Sequence, residues 1–258
     1  MARVLAVVLC SAAVVSAFSA ALALPPREAL EARLSSDHLG RIESGTYLAG
    51  DHMGFAVDSS GANYLLSFDG NPEVFVLHPD SASLGGRILK YDSGETALQV
   101  SGWGALTLYT DAEPGGLPAV RTGDFSAPAM PAISLGEVED AAGEDAGTLG
   151  AVEHVTVSFN ADWSALAGNA EARAIALDTM ENVARGIERF CRSVHGHNAF
   201  AQRISAVKLA MAGRPTVTLE HKTLIVTFNP DLGYEGRTSS RSIAIALGML
   251  LSAPKNQS

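Results

Sequence analysis

The stretch Met53-Gly-Phe-Ala-Val-Asp-Ser-Ser-Gly-Ala-Asn-Tyr-Leu-Leu-Ser-Phe68, continued by Asp69-Gly-Asn-Pro72 and Glu73-Val-Phe-Val-Leu77, decides how the chain is read. It holds three short apolar runs, Met53–Val57, Asn63–Phe68 and Glu73–Leu77, separated by Asp58-Ser-Ser-Gly61 and Asp69-Gly-Asn-Pro72. Asp, Asn, Gly and Pro at such positions supply turn backbones and side-chain caps. The same texture extends outward. Gly45–Gly50 precedes it, and Arg87–Tyr91, Ala97–Val100 and Leu106–Thr110 follow. Pro79-Asp-Ser-Ala82, Asp92-Ser-Gly94 and Gly102-Trp-Gly104 stand between the later runs. Runs about 8–12 residues apart with turn signals predict an antiparallel meander over residues 45–125, closed as a barrel or packed as a sandwich.

Beyond it the texture changes. Residues 126–150 carry Pro128 and Pro131, then Glu137, Glu139, Asp140, Glu144 and Asp145 among Ala and Gly, with no base. So little apolar area to offset the entropy of ordering predicts a flexible acidic linker or long loop. Residues 151–258 then read as a strand, Glu153–Phe159, and a helix capped by Asn160 or Asp162 that reaches about His195. Ala176, Met180, Val183, Ile187, Phe190, Cys191 and Val194 form its apolar stripe. Strands Ile204–Met211 and Leu224–Phe228 follow, with Thr216–Leu219 as a possible third, and then a nearly all-apolar helix, Arg241–Leu251. The expected class is α+β: an N-terminal antiparallel β meander followed by a small β-α-β-β-α layer.

Ahead of the meander, Arg3, the apolar run Val4–Val15 and Ala21-Leu22-Ala23 before Leu24-Pro25-Pro26 have the three parts of a cleaved export signal, residues 1–23. The run is shorter than the about 20 residues needed to span a bilayer, so no transmembrane anchor is expected after cleavage. The mature part, with the β domain at 24–125 opening on a short helix around Arg27–Ser36, would keep one cysteine, Cys191. On the apolar stripe, that residue reads as a buried structural thiol, with intermolecular pairing as the alternative.

The chain holds 18 Lys and Arg against 28 Asp and Glu, a net charge of −10. Clustered bases are missing, which argues against a nucleic-acid partner. The charge is also uneven. Residues 24–125 carry six bases and fourteen acids, residues 126–150 five acids, and residues 151–258 eleven bases and nine acids. An acidic β region is thus joined to a near-neutral half, which suggests that the halves face different surroundings or each other.

Candidate sites compete with plainer readings. Asp58, Asp69, Asp80 and Asp92 recur at intervals of 11, 11 and 12, but successive turns of a meander lie at alternate ends, so turn chemistry explains them better than a Ca²⁺ site. Asp92-Ser93-Gly94 after Ile88-Leu89 resembles the nucleophile-activating loop of retroviral-type aspartic proteases. Lys90 and Glu95 depart from that pattern, and a hairpin turn is the reading kept. His195-Gly196-His197 has half of a metal site, with His154 or His221 as a conceivable third ligand, yet a helix C-cap accounts for it. Neither a metal, a cofactor nor a catalytic set is assigned. Gly233-Tyr-Glu-Gly-Arg237-Thr-Ser-Ser-Arg241 is the most suggestive stretch. A Gly-flexible loop brings Arg237, Thr238, Ser239, Ser240 and Arg241 to a helix N-terminus, where free N–H groups and the dipole favour an anion, a weak anion or carboxylate site; the plainer reading is an ordinary Ser cap with solvated arginines.

Gly45-Thr-Tyr-Leu-Ala-Gly50, Pro72-Glu-Val-Phe-Val76, Lys90-Tyr-Asp-Ser-Gly-Glu95, and Gly102-Trp-Gly104 through Thr107-Leu-Tyr109 resemble an uncharacterised family of exported proteobacterial proteins, a domain of unknown function. The resemblance covers mainly residues 45–125 and implies export and the β region, without an activity. Together these features lead to the expectation of a non-catalytic, exported cell-envelope module, in the periplasm, that binds an envelope protein or a small anionic ligand. The alternative is a periplasmic hydrolase whose site assembles only in three dimensions from His52, His78, Asp92 or the C-terminal histidines. A third possibility, a subunit of an envelope assembly, calls for an exposed apolar patch.

Overall fold

The computed structural model describes residues 40–127 and 129–252. The export signal and the helix expected around Arg27–Ser36 lie outside them. The meander is a closed barrel of eight antiparallel strands: β1 Gly45–Ala49, β2 Met53–Asp58, β3 Tyr64–Phe68, β4 Val74–Ser81, β5 Arg87–Tyr91, β6 Thr96–Val100, β7 Leu106–Leu108 and β8 Leu117–Gly123. Seven match the expected runs to within a few residues. The eighth, β8, was hidden by Pro118 and Arg121, but it pairs with both β7 and β1 and removes the free edges.

Alternation along the strands sends Val57, Leu66, Leu77, Leu89, Leu98 and Leu108 into a fully buried interior. Eight strands leave a lumen that side chains can fill, so the barrel is a packed core rather than a container. A row of aromatic rings crosses five adjacent strands, Tyr47, Phe55, Phe68, Phe75 and Tyr91, with centroids 5.3, 6.3, 6.1 and 5.3 Å apart.

The region expected to be an acidic linker is instead helical over α1, Leu135–Val152. Ser134 and Glu137 form a capping box at its start, and Val138, Ala142 and Leu149 are buried. Three apolar residues on one stripe, packed on a neighbouring helix, supply the burial that composition alone conceals. The remaining elements are β9 Ser158–Ala161, α2 Trp163–Ala167, α3 Ala170–Cys191, α4 Val194–Arg203, β10 Ala206–Met211, β11 Thr216–Glu220, β12 Thr223–Phe228 and α5 Ser240–Ser252. The strands form a sheet in the order β11-β12-β10-β9, with β9, β10 and β12 parallel and β11 antiparallel to β12.

The single long helix expected to end near His195 is three helices, each with its own cap. Asp162, Asn169 and Ser193 accept from the backbone N–H of Ala165, Ala172 and Gly196. Gly196 is therefore in the first turn of α4, not a C-cap. His195 is exposed, while the His197 ring contacts the carbonyl of Glu153. Helix α5 is not buried all round. Ile243, Leu247 and Leu251 face the core, whereas Ile245 and Met249 are exposed.

Cys191 is buried, as its place on the stripe implied, and burial pushes its thiol up to about 12. Helices α3 and α5 cross closely at Gly186, where an added Cβ would lie 2.6 Å from Ile243. That crossing places the N-terminus of α5.

Candidate functional site

The turns of an up-and-down barrel alternate between its ends. Turns β1–β2, β3–β4, β5–β6 and β7–β8 share the end that meets the second layer. Glu73, Asp92, Glu95 and Asp111, all from this end, each bind a residue of α3 or of the segment that opens α5.

Glu73 is 1% exposed. It accepts from the Ser240 backbone N–H at 2.8 Å and from its hydroxyl at 2.6 Å. Asp92 accepts from the Ser239 backbone N–H at 2.8 Å, and the Ser239 hydroxyl donates to its other oxygen. That same hydroxyl accepts from Ser242 N, which makes Ser239 the helix cap. Arg241 donates to Glu95 at 2.7 Å and to Asp111 at 2.6 Å. Arg189 donates to the other Asp111 oxygen at 2.5 Å. Arg237, 4% exposed, pairs with Asp178 and donates to the carbonyl of Val74.

The helix N-terminus expected to receive a ligand anion is therefore occupied by the chain's own carboxylates. Arg237, Thr238, Ser239, Ser240 and Arg241 do come together, and their chemistry is that of an anion cradle. Glu73 and Asp92 fill it because the closed barrel points its acidic turns at α5. Four acids of the acidic region, Glu73, Asp92, Glu95 and Asp111, thus face the near-neutral half.

Electrostatics follow the packing. Burial would raise the Asp111 carboxyl, but the guanidiniums of Arg241 and Arg189 outweigh burial and hold it below its ordinary value. Burial would lower Arg241, and Asp111 and Glu95 reverse that. For Arg237 burial prevails over Glu73 and Asp92 and brings it down to about 10. Burial also pushes the Tyr91 hydroxyl up to about 12.

Beside the Arg241–Asp111 pair lies a cavity of about 430 Å³. Its floor is Phe68, Phe75 and Tyr91, the last three rings of the aromatic row, and its rim carries Arg189, Arg192 and Arg241. The Arg241 guanidinium sits 4.5 Å from the Tyr91 ring centroid. His52 and Asp69 complete the wall. On the other side of Ser239 is a cleft of about 370 Å³ lined by His78, Asp92, Thr238, Ser239 and Ser242. There the His78 ring hydrogen-bonds Asn63, 3.1 Å away. Arg241 is the one member of the expected anion set that reaches the aromatic cavity.

Sequence reading missed Glu73, Glu95, Asp111, Asp178, Arg189 and Arg192. The usable signal was parity: in a meander, the acids of every second turn belong to one end. The opposite end, at turns β4–β5 and β6–β7, exposes Leu84 and Trp103 to 81% and 82%. No helix among the described residues is long and apolar enough to cross a membrane.

No curated protein and no solved structure matches the chain. The family described as a domain of unknown function, DUF4908, matches residues 27–247, so it takes in both the barrel and the layer that closes its end. With most of its length matched, the chain belongs to that family.

Proposed function

We propose that the protein is an exported, non-catalytic binding module whose ligand site is the aromatic cavity at the barrel end facing α3 and α5. The observation that carries this is the cavity itself. Its volume lies in the range of small-molecule sites, its floor is aromatic, and charged groups converge on it from α3, α5 and the β3–β4 and β7–β8 turns. Positions on rigid strands and helices suit a preorganised site. Export to the periplasm rests on the charge, apolar run and small-residue pattern of residues 1–23. A proteobacterial cell envelope is the setting this reading assigns.

The binding reading is tested by thermal unfolding of the full chain against a small-molecule panel, because a ligand of the native state raises the midpoint by mass action. Stabilisation that is lost on His52→Trp, which would crowd the cavity wall, supports it. A panel without any stabiliser overturns it. The export reading is tested by fusing the full chain to a reporter active only outside the cytoplasm. Activity that disappears on deleting residues 2–23 supports export, and activity that survives the deletion overturns it.

A second reading, a hydrolase, is favoured by one observation: His78, Asp92 and Ser239 line a single cleft, and the buried Ser242 hydroxyl there has no partner among the described residues. Against it, Ser239 donates directly to Asp92 and His78 bonds Asn63, so no histidine stands as base to the hydroxyl. Turnover in a hydrolase panel that is abolished by Ser239→Ala in a folded protein would establish this reading instead.

A further inference from the structure

We infer that the aromatic cavity takes a small amphipathic anion, an aromatic body bearing a single carboxylate or phosphate monoester head group; this rests on the cavity being the ligand site. The floor sets the body of the ligand. Phe68 is half-buried and gives the floor its open ring, while Phe75 and Tyr91, 3% exposed each, back it, with centroids 6.1 and 5.3 Å apart along the row. Phe68, fixed in this way, offers an apolar surface without an ordering cost on binding.

The rim sets the charge. Arg189, Arg192 and Arg241 line the cavity against Asp69 and Asp111, in a chain whose net charge is −10. Asp111 is already bridged between Arg189 and Arg241. Arg192, exposed at the C-terminal end of α3, has no carboxylate within ion-pair distance among the described residues. Its planar fork is suited to a carboxylate or phosphate oxygen pair. The two wall carboxylates also set an upper limit. A second negative charge on the ligand body would face Asp69 or Asp111, and a cation would face three guanidiniums. An inorganic anion alone leaves Phe68 uncovered and gains only the rim contacts.

The experiment is calorimetric titration of the full chain with benzoate, phenyl phosphate, benzyl alcohol, benzylammonium and inorganic phosphate, repeated with Arg192→Ala, Arg192→Lys and Phe68→Leu. Arg192 is exposed, so its variants test the site without touching the core. The expected result is one saturable site for benzoate or phenyl phosphate, whichever head group fits. Its affinity falls about tenfold or more in Arg192→Ala, recovers partly in Arg192→Lys, and weakens with added salt. Phe68→Leu weakens whichever aromatic anion binds and leaves any inorganic phosphate binding unchanged. Equal binding of benzyl alcohol, indifferent to Arg192→Ala but lost in Phe68→Leu, overturns the anionic class and leaves the cavity as the site. Anion binding indifferent to both variants places the ligand elsewhere and overturns the inference. Binding of none of the five overturns the inference together with the reading beneath it.

Discussion

Glu73, the last residue before β4, holds Ser240, the first of α5, through both of its carboxylate oxygens, and neither residue is more than 1% exposed. Of the four barrel-end carboxylates described as binding the second layer, Glu73, Asp92, Glu95 and Asp111, Glu73 is the one whose contact is fully removed from water. A buried carboxylate that loses its donors, or donors that lose their carboxylate, pay the full desolvation penalty. Glu73→Ala is expected to destabilise the protein by about 2–4 kcal/mol and Ser240→Ala by about 1–3 kcal/mol. The double variant should cost clearly less than the two single variants combined, because the partners act as one unit. Chemical denaturation of all four proteins checks this; additive losses would show that the two residues are not coupled.

Asp111 makes a pH-dependent contribution at the same seam. Its folded-state value lies below the ordinary 3.8, so its stabilisation is present above that value and is lost as pH falls through it. At pH 7 Asp111→Asn should be less stable than the parent, by no more than about 1 kcal/mol because the side chain is largely solvated. As pH drops below about 4 the two stability curves should converge. Curves that stay parallel through that range would show that Arg189 and Arg241 do not depend on its charge.

Gly186 sets how closely α3 and α5 approach. A Cβ there would meet Ile243 at 2.6 and 2.7 Å and the Ser240 carbonyl at 3.0 Å, atoms of a packed helix that cannot swing away. Although alanine is the better helix former, Gly186→Ala is expected to cost about 1–3 kcal/mol through overpacking. By shifting α5 it should also weaken the Glu73–Ser240 contact, seen as faster hydrogen exchange at the Ser240 amide. An unchanged or raised melting midpoint would mean that the helices can separate freely.

The barrel was legible because its turns announce themselves: Asp-Ser-Ser-Gly and Asp-Gly-Asn-Pro cannot continue a strand, and the runs between them alternate. Strand β8 was not, since Pro118 and Arg121 obscure its alternation, and only the need to close the barrel calls for it. The α1 helix was concealed for a different reason. Its apolar residues, Val138, Ala142 and Leu149, are sparse on an acidic helix and matter only once α3 lies beside them. The segment Arg237–Arg241 was recognisable as an anion cradle from residue type alone. That its anions are Glu73 and Asp92, more than 140 residues earlier, depends on pairing between distant turns, which local sequence does not encode.

Asp145 shows what that acidic helix costs the fold. Burial, then Glu181, raises its carboxyl to about 6, with Arg185 pulling the other way and Glu188 and Glu144 adding to the rise. Arg185 offers little relief because it is engaged by Glu181 and Asn182, at 2.6 and 2.8 Å. One Asp145 oxygen is buried without a hydrogen-bond partner among the described residues. The sign is opposite to that of Asp111. The folded protein holds a proton that the unfolded chain has released, so stability declines as pH rises from about 4 to about 6 and stays lower above that. Asp145→Asn removes the charge, keeps the shape, and presents an amide that can donate toward the neighbouring carboxylates. It is expected to stabilise the protein at pH 7 by about 1–2 kcal/mol, a range that allows for the partial exposure of the group. The parent's downward slope between pH 4 and 6 should flatten in the variant. Urea denaturation at pH 4, 5, 6 and 7 resolves both effects. A variant no more stable than the parent at pH 7, with the slope retained, would mean that the carboxylate finds solvent or a counter-ion and that α1 carries its charge at no cost.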